Sequence, residues 1–219
     1  MDDEQLQAWT TEHRLLLADT LEQLGEERAG DPTLCAGWDV RTLAGHLLQP
    51  LRVPSWRFLL TAARVRSMAV ACDVHAARLG ARPLAEVVAE IRATAPRPVR
   101  PWYIGAAGPY TDTCIHLRDL AEPQGLEVRV PVERWVAALD IITSPRGRES
   151  FVPRPVGGRR GDGLLDGLSL HATDADRRYG EGEPVRGTAE AVAMVVSGRR
   201  AYLDRVSGAG AEMLAARLP

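Results

Sequence analysis

Pro109-Tyr110-Thr111-Asp112-Thr113-Cys114-Ile115-His116-Leu117-Arg118-Asp119 is the stretch on which the reading of this chain turns. Asp112 and His116 are four residues apart, so on a helix they stand one turn apart on one face. A carboxylate and an imidazole stacked in this way can hold a divalent metal once a third ligand arrives from another helix. Pro109 suits a first helical turn, where a missing N–H costs nothing, and Pro123 with Gly125 ends the run. A surface ion pair has the same spacing, and the segment alone leaves both readings open. Cys114 lies in the same helix but points roughly 200° away from both Asp112 and His116. It is read as neither ligand nor nucleophile.

Working outward, the segments before this stretch are helical. Leu6, Trp9, His13, Leu16, Leu17, Leu21 and Leu24 recur at three- and four-residue steps, predicting a long amphipathic helix over 4–27 with His13 in or beside the core. Gly30-Asp31-Pro32-Thr33 breaks it. Asp39 is an N-cap for a helix from Val40, whose inner stripe is Val40, Leu43, Ala44 and Leu47. His46 lies at the edge of that stripe, placed either to reach a bundle interior as a ligand or to be a hydrogen-bonded core histidine. Pro50 and Pro54 then interrupt the helical pattern. It resumes from Trp56 to Leu79 with an arginine-rich outer face (Arg57, Arg64, Arg66, Arg78), and His75 is placed on or near that surface. Pro83 opens a helix carrying Leu84, Val87, Val88 and Ile91, and the segment 95–101 is proline-rich. After the Asp112–His116 helix, 132–143 forms another, with Trp135, Val136, Leu139 and Ile142 facing inward.

The texture changes at Ser144. Pro145, Pro153, Pro155, Gly157 and Gly158 mark a linker or the start of a new unit. A strand is predicted over 164–172, turn chemistry over 179–184, and short helices over 188–197 and 209–218. The second part is thus a small mixed unit of about 70 residues, and neither part shows internal repeats.

Composition narrows the function. At 219 residues and 45% hydrophobic, the chain can bury a core, and its net charge of −2 exerts no global pull toward nucleic acid or an anionic membrane. No apolar run approaches the roughly 18–20 residues of a bilayer span, and the acidic start differs from a secretory signal. Neither a nucleic-acid nor a membrane partner is expected, and the protein is expected in the cytoplasm. Three cysteines, Cys35, Cys72 and Cys114, form no CxxC pair and no disulfide framework. Each is read as a small core hydrophobe. The chain contains no lysine and no asparagine. Both have A-rich codons, which points to a GC-rich, actinobacterial genome.

Taken together, Cys35-Ala36-Gly37-Trp38-Asp39-Val40-Arg41-Thr42-Leu43-Ala44-Gly45-His46-Leu47, followed about 65 residues later by Asp112-x-x-x-His116-x-x-Asp119, resembles the DinB-like helical bundle and, within it, the mycothiol-dependent maleylpyruvate isomerase family. Leu170-His171-Ala172-Thr173-Asp174, Gly180-Glu181-Gly182, Val185-Arg186-Gly187-Thr188 and Ser197-Gly198-Arg199 are similar to the small sterol-carrier-like domain that ends proteins of this group. The resemblance spans nearly the whole chain. It implies an α+β protein, with a metal-binding up-and-down helical bundle over 1–146 and a small α/β domain over 147–219. It further implies a divalent metal, zinc, held by His46, Asp112 and His116, with Asp112 standing where the isomerase has a one-methylene-longer Glu.

Three protein ligands leave a position for water or a thiol. The resemblance then implies mycothiol as cosubstrate, added to a small electrophile in an isomerase or S-transferase reaction. Arg199 is a candidate for clamping an anionic substrate, and Asp119 for accepting the second N–H of His116. A surface arginine and a surface acid are the plain alternatives. Other thiol-linked or hydrolytic chemistry in a biosynthetic pathway, and a non-enzymatic small-molecule binding module, complete the set of readings. The partners implied are small molecules, with the protein a monomer or homodimer.

Overall fold

The computed structural model describes residues 2–157 and 163–219; Gly158, one of the linker glycines, lies outside the described residues. The fold class is α+β, with a helical majority and one small sheet. The chain divides into two compact units, 1–101 with 116–128 and 102–115 with 129–219.

The first unit begins with α1 (Asp3–Leu24), capped by Asp2, whose carboxylate accepts from Gln5 N at 2.8 Å. Leu6, Leu17, Leu21 and Leu24 are buried as the periodicity predicts, and so is His13. Leu16 instead faces outward, and Thr10 and Arg14 take interior positions. Arg14 is tolerated there because its guanidinium donates to the carbonyls of Ala95 and Arg97 at 3.0 and 2.9 Å. α2 (Val40–Arg52) starts where predicted, with Asp39 accepting from Thr42 N at 2.7 Å. Pro50 is carried inside its last turns rather than ending it.

The expectation of one helical run from Trp56 to Leu79 is corrected. There are two helices, α3 (Ser55–Val65) and α4 (Met68–Gly80). Arg66 between them adopts a left-handed conformation (φ 55°), and Ser67 caps α4 by accepting from Val70 N at 3.2 Å. Neither a glycine nor a proline marks this break. His75 is also corrected: it is buried, with its Nε2 3.0 Å from Thr61 Oγ1 across the α3–α4 pair. α5 (Leu84–Thr94) follows Pro83 and buries Leu84, Val87, Val88 and Ile91. α1 packs on α5, and α2 on both α4 and α5.

α6 (Ala107–Ala121) is one continuous helix, although the division between units falls within it. In the second unit, α7 (Val132–Ile142) buries Trp135, Leu139 and Ile142. α8 (Pro145–Phe151), not expected from the sequence, is capped by Ser144, which accepts from Gly147 N at 3.2 Å.

The predicted strand over 164–172 is shorter than expected. β1 is Leu168–Ala172, because the left-handed Gly167 (φ 70°) turns the chain just before it. β1 is the central strand, antiparallel to β2 (Arg177–Tyr179) and parallel to β3 (Glu183–Gly187), with Leu170 opposite both Tyr179 and Val185. Leu168, Leu170 and Ala172 alternate into the core. Pro184 is tolerated because β3 is at an edge of this sheet. α9 (Ala189–Val196), capped by Thr188, buries every residue except Glu190 and packs against the sheet and α7, and α10 (Ala209–Arg217) lies against β3.

Candidate metal centre

His46 and His116 are brought together by α2 and α6 with ring centroids 5.0 Å apart, edge to face. The loop before α2 closes over them. Thr33 Oγ1 donates to Trp38 O at 2.9 Å, Trp38 N donates to Cys35 O at 3.0 Å, and Leu34 N donates to Asp119 O at 3.0 Å. Gly37 (φ 80°) makes this tight turn, a conformation costly for any residue with a Cβ. The result lays the Trp38 indole against both imidazoles, 4.9 Å from His46 and 6.3 Å from His116. Trp38 Nε1 donates to Asp73 Oδ1 at 2.9 Å, pinning the ring to α4.

Each imidazole is engaged on its Nδ1 side. His116 Nδ1 lies 2.9 Å from Asp119 Oδ2, and Asp119 is 0% exposed. A carboxylate can only accept, so Nδ1 carries the proton and Nε2 keeps a lone pair for a ligand role. The His116–Asp119 pair has the relation the sequence suggested. His46 Nδ1 is 3.3 Å from Gln49 Oε1, one helical turn on, and 3.4 Å from Cys72 Sγ. Gln49 and Cys72 thus engage the Nδ1 edge of His46.

Asp112 stands one turn before His116 on α6. One ligand atom from each of His46, Asp112 and His116 lies within 4.8 Å of the others. Two imidazole nitrogens and a carboxylate oxygen at such separations could hold a divalent metal ion. Asp112 also acts on Tyr103: burial pushes the Tyr103 phenol up from its ordinary value, and the Asp112 carboxylate adds to that shift. Arg199, in the turn after α9, is half-buried, and its Nη1 donates to Ser197 O at 2.6 Å.

The cysteines divide unexpectedly. Cys114 is buried, and burial pushes its thiol far up from the ordinary value, in keeping with an inert core residue. Cys35 and Cys72, read from sequence as core hydrophobes, are only half-buried and sit beside the histidines. Cys35 Sγ is 3.2 Å from Asp119 Oδ2 and 3.7 Å from His116 Nδ1. It forms a second close group with His116 and Asp119. A thiol against a carboxylate donates to it, so Cys35 helps fix Asp119 rather than competing for its charge. The position of Cys35 at the head of the Gly-Trp-Asp motif was an available signal. For Cys72 there was none, because its contact with His46 depends on how α4 packs on α2.

No family model matches the sequence, and no curated protein does. Among solved structures, the chain is similar to crystal structures of the mycothiol-dependent maleylpyruvate isomerase and of a histidine-to-alanine mutant of it, with TM-scores of 0.57 and 0.58. In both cases the identity is 15%, over 95% of this chain and 93% of the other. At this identity the likeness is one of fold: the chain has the fold of the mycothiol-dependent maleylpyruvate isomerase.

Proposed function

We propose that this protein is a metal-dependent enzyme that uses a low-molecular-weight thiol, mycothiol in the first instance, to attack a small electrophile. The observation that carries this reading is the grouping of His46, Asp112 and His116 ligand atoms within 4.8 Å on this fold. Those three side chains would hold the metal, zinc by its match to an imidazole and carboxylate donor set. The fit is supported by proton placement at His116, whose Asp119 partner on Nδ1 leaves Nε2 as the lone pair. A bound divalent metal supplies a position at which a thiol is deprotonated at neutral pH.

The chain's own residues do the rest. Asp119 orients His116, and Gln49 orients His46. Trp38 lies against the imidazole pair. Arg199 is proposed to clamp a substrate carboxylate through its guanidinium fork. In an isomerase reaction, the thiol adds to a conjugated double bond, the resulting single bond rotates, and the thiol leaves. In a transferase reaction the conjugate is the product.

Metal content of the purified full chain tests this reading. Wild-type protein is expected to carry near-stoichiometric zinc, lost in His46→Ala and His116→Ala together with turnover, while circular dichroism stays unchanged. Full activity in either variant would exclude the reading. Asp119→Asn is expected to weaken metal binding by about 10–100-fold without abolishing it. Product analysis with mycothiol then separates the two reactions: a recovered thiol pool with isomerised product marks an isomerase, and a stable conjugate marks a transferase.

A further inference from the structure

α3 is anomalous. Along its eleven residues only Ala62 is buried, and among the helices it packs principally on α4. Phe58, Thr61, Ala62 and Val65 fall on the α4 side. Trp56, Leu59, Leu60 and Ala63 occupy an arc roughly 100° wide on the opposite side, at 100° per residue. Trp56, Leu59 and Leu60 are 63%, 56% and 46% exposed. On α4, Met68, Val70 and Val74 are exposed as well. A soluble helix pays for one apolar face by burying it; this one has a second face that no other part of the described chain covers.

Charge indicates the partner for this face. Residues 40–72 contain five arginines (Arg41, Arg52, Arg57, Arg64, Arg66) and no acid, in a chain whose net charge is −2. Arg41 is paired with Glu26 and Arg52 with Glu90. Arg57, Arg64 and Arg66 have no carboxylate partner among the described residues, and all three are exposed. Arg57 and Arg64 both border one edge of the apolar arc, with the Arg57 guanidinium 5.5 Å from the Trp56 ring centre.

A second copy of the chain is disfavoured as the occupant, because an isologous pairing brings these arginines against their own counterparts. Tryptophan, aliphatic residues and bordering arginines on a short amphipathic helix match the headgroup boundary of an anionic bilayer.

We propose that the exposed face of α3, led by Trp56, Leu59 and Leu60 and bordered by Arg57, Arg64 and Arg66, docks the protein on anionic lipid surfaces. This is peripheral attachment: no helix among the described residues is long and apolar enough to cross a membrane. It also departs from the expectation of no membrane partner, which rested on the lack of a spanning apolar run and on a net charge that averages over a local basic patch.

Co-sedimentation of the full chain with vesicles tests the proposal. One set is phosphatidylcholine alone, and the other contains about one third phosphatidylglycerol. Wild-type protein is expected to bind only the anionic vesicles and to be released by salt. Leu59→Ser/Leu60→Ser and Arg57→Gln/Arg64→Gln/Arg66→Gln are each expected to lower partitioning at least about tenfold, with unchanged circular dichroism and metal content. Absence of binding by folded wild-type protein at low salt would overturn the proposal. So would full binding by the leucine variant, which would make the attraction purely electrostatic. Self-association, or uptake of an acidic amphipathic peptide, in place of vesicle binding would equally overturn it.

Discussion

α2 and α3 are neighbours in sequence, similar in length, and both strongly amphipathic. They meet different fates. α2 is capped by Asp39, buries Val40, Leu43, Ala44, Leu47 and Leu48, and carries His46 at the edge of that stripe. α3 follows Pro54 with no side-chain cap and buries one alanine. The difference lies in the surface that faces each helix rather than in how apolar it is. Gly45 on α2 meets Gly80 at the end of α4: a Cβ on Gly45 would stand 2.1 Å from Ala76 O, and one on Gly80 would stand 2.1 Å from Arg41 O. This reciprocal contact lets two backbones touch and sets the spacing that brings Cys72 to His46. α3 has no such seat, and its leucines remain outside.

The sharpest way to break the contrast is Gly45→Ala. Alanine gains about 1 kcal/mol in helix propensity. The overlap is with backbone that cannot rotate away, and overpacking of that kind typically costs about 3 kcal/mol. A net loss of about 2 kcal/mol is expected from denaturant midpoints, with weakened metal binding as α4 is pushed off α2. Ala63→Leu on the outer arc of α3, a larger change in volume, is expected to leave stability within about 0.5 kcal/mol. Equal losses in the two variants would remove the distinction between the helices.

The cap is the next contrast. Asp39→Ala should cost about 1 kcal/mol, because it orphans the Thr42 N–H at the start of α2. The same measurement on Ser55→Ala, at the first residue of α3, should show almost nothing.

These differences also explain how much could be read from the sequence. The cap at Asp39, the stripes of α1, α2, α5 and α7, and the one-turn relation of Asp112 to His116 are local, and local spacing exposes them. The break at Arg66 was invisible because an arginine in a left-handed conformation carries no sequence signature; only Ser67 hinted at it. β2 and β3 were missed because Arg177-Arg178-Tyr179 and Glu183-Pro184-Val185-Arg186-Gly187 lack the apolar alternation of a strand and are ordered by pairing with β1. At the site, His116 and Asp119 share one helix and were legible as a pair. Cys35 and Cys72 reach the imidazoles from separate segments, and that information lies in helix packing.

His75 gives the finest test, because it joins α3 to α4. Its imidazole is buried, hydrogen-bonded to Thr61 and 5.9 Å from the Phe58 ring. Burial, and then the charges of Arg78 and Arg57, hold its pKa below the ordinary 6.5. The folded protein therefore binds fewer protons here than the unfolded chain just below pH 6.5, so stability falls as pH is lowered through that region and is fully present above it. His75→Gln keeps a polar partner for Thr61 and removes the titration. Unfolding midpoints at about pH 7.5 are expected to match wild type closely, while the loss between about pH 6.5 and pH 5 becomes shallower. The effect is small because one imidazole is involved and α3 contributes little to the core. If the two proteins lose stability in parallel over that range, the titration of His75 does not govern the attachment of α3 to α4.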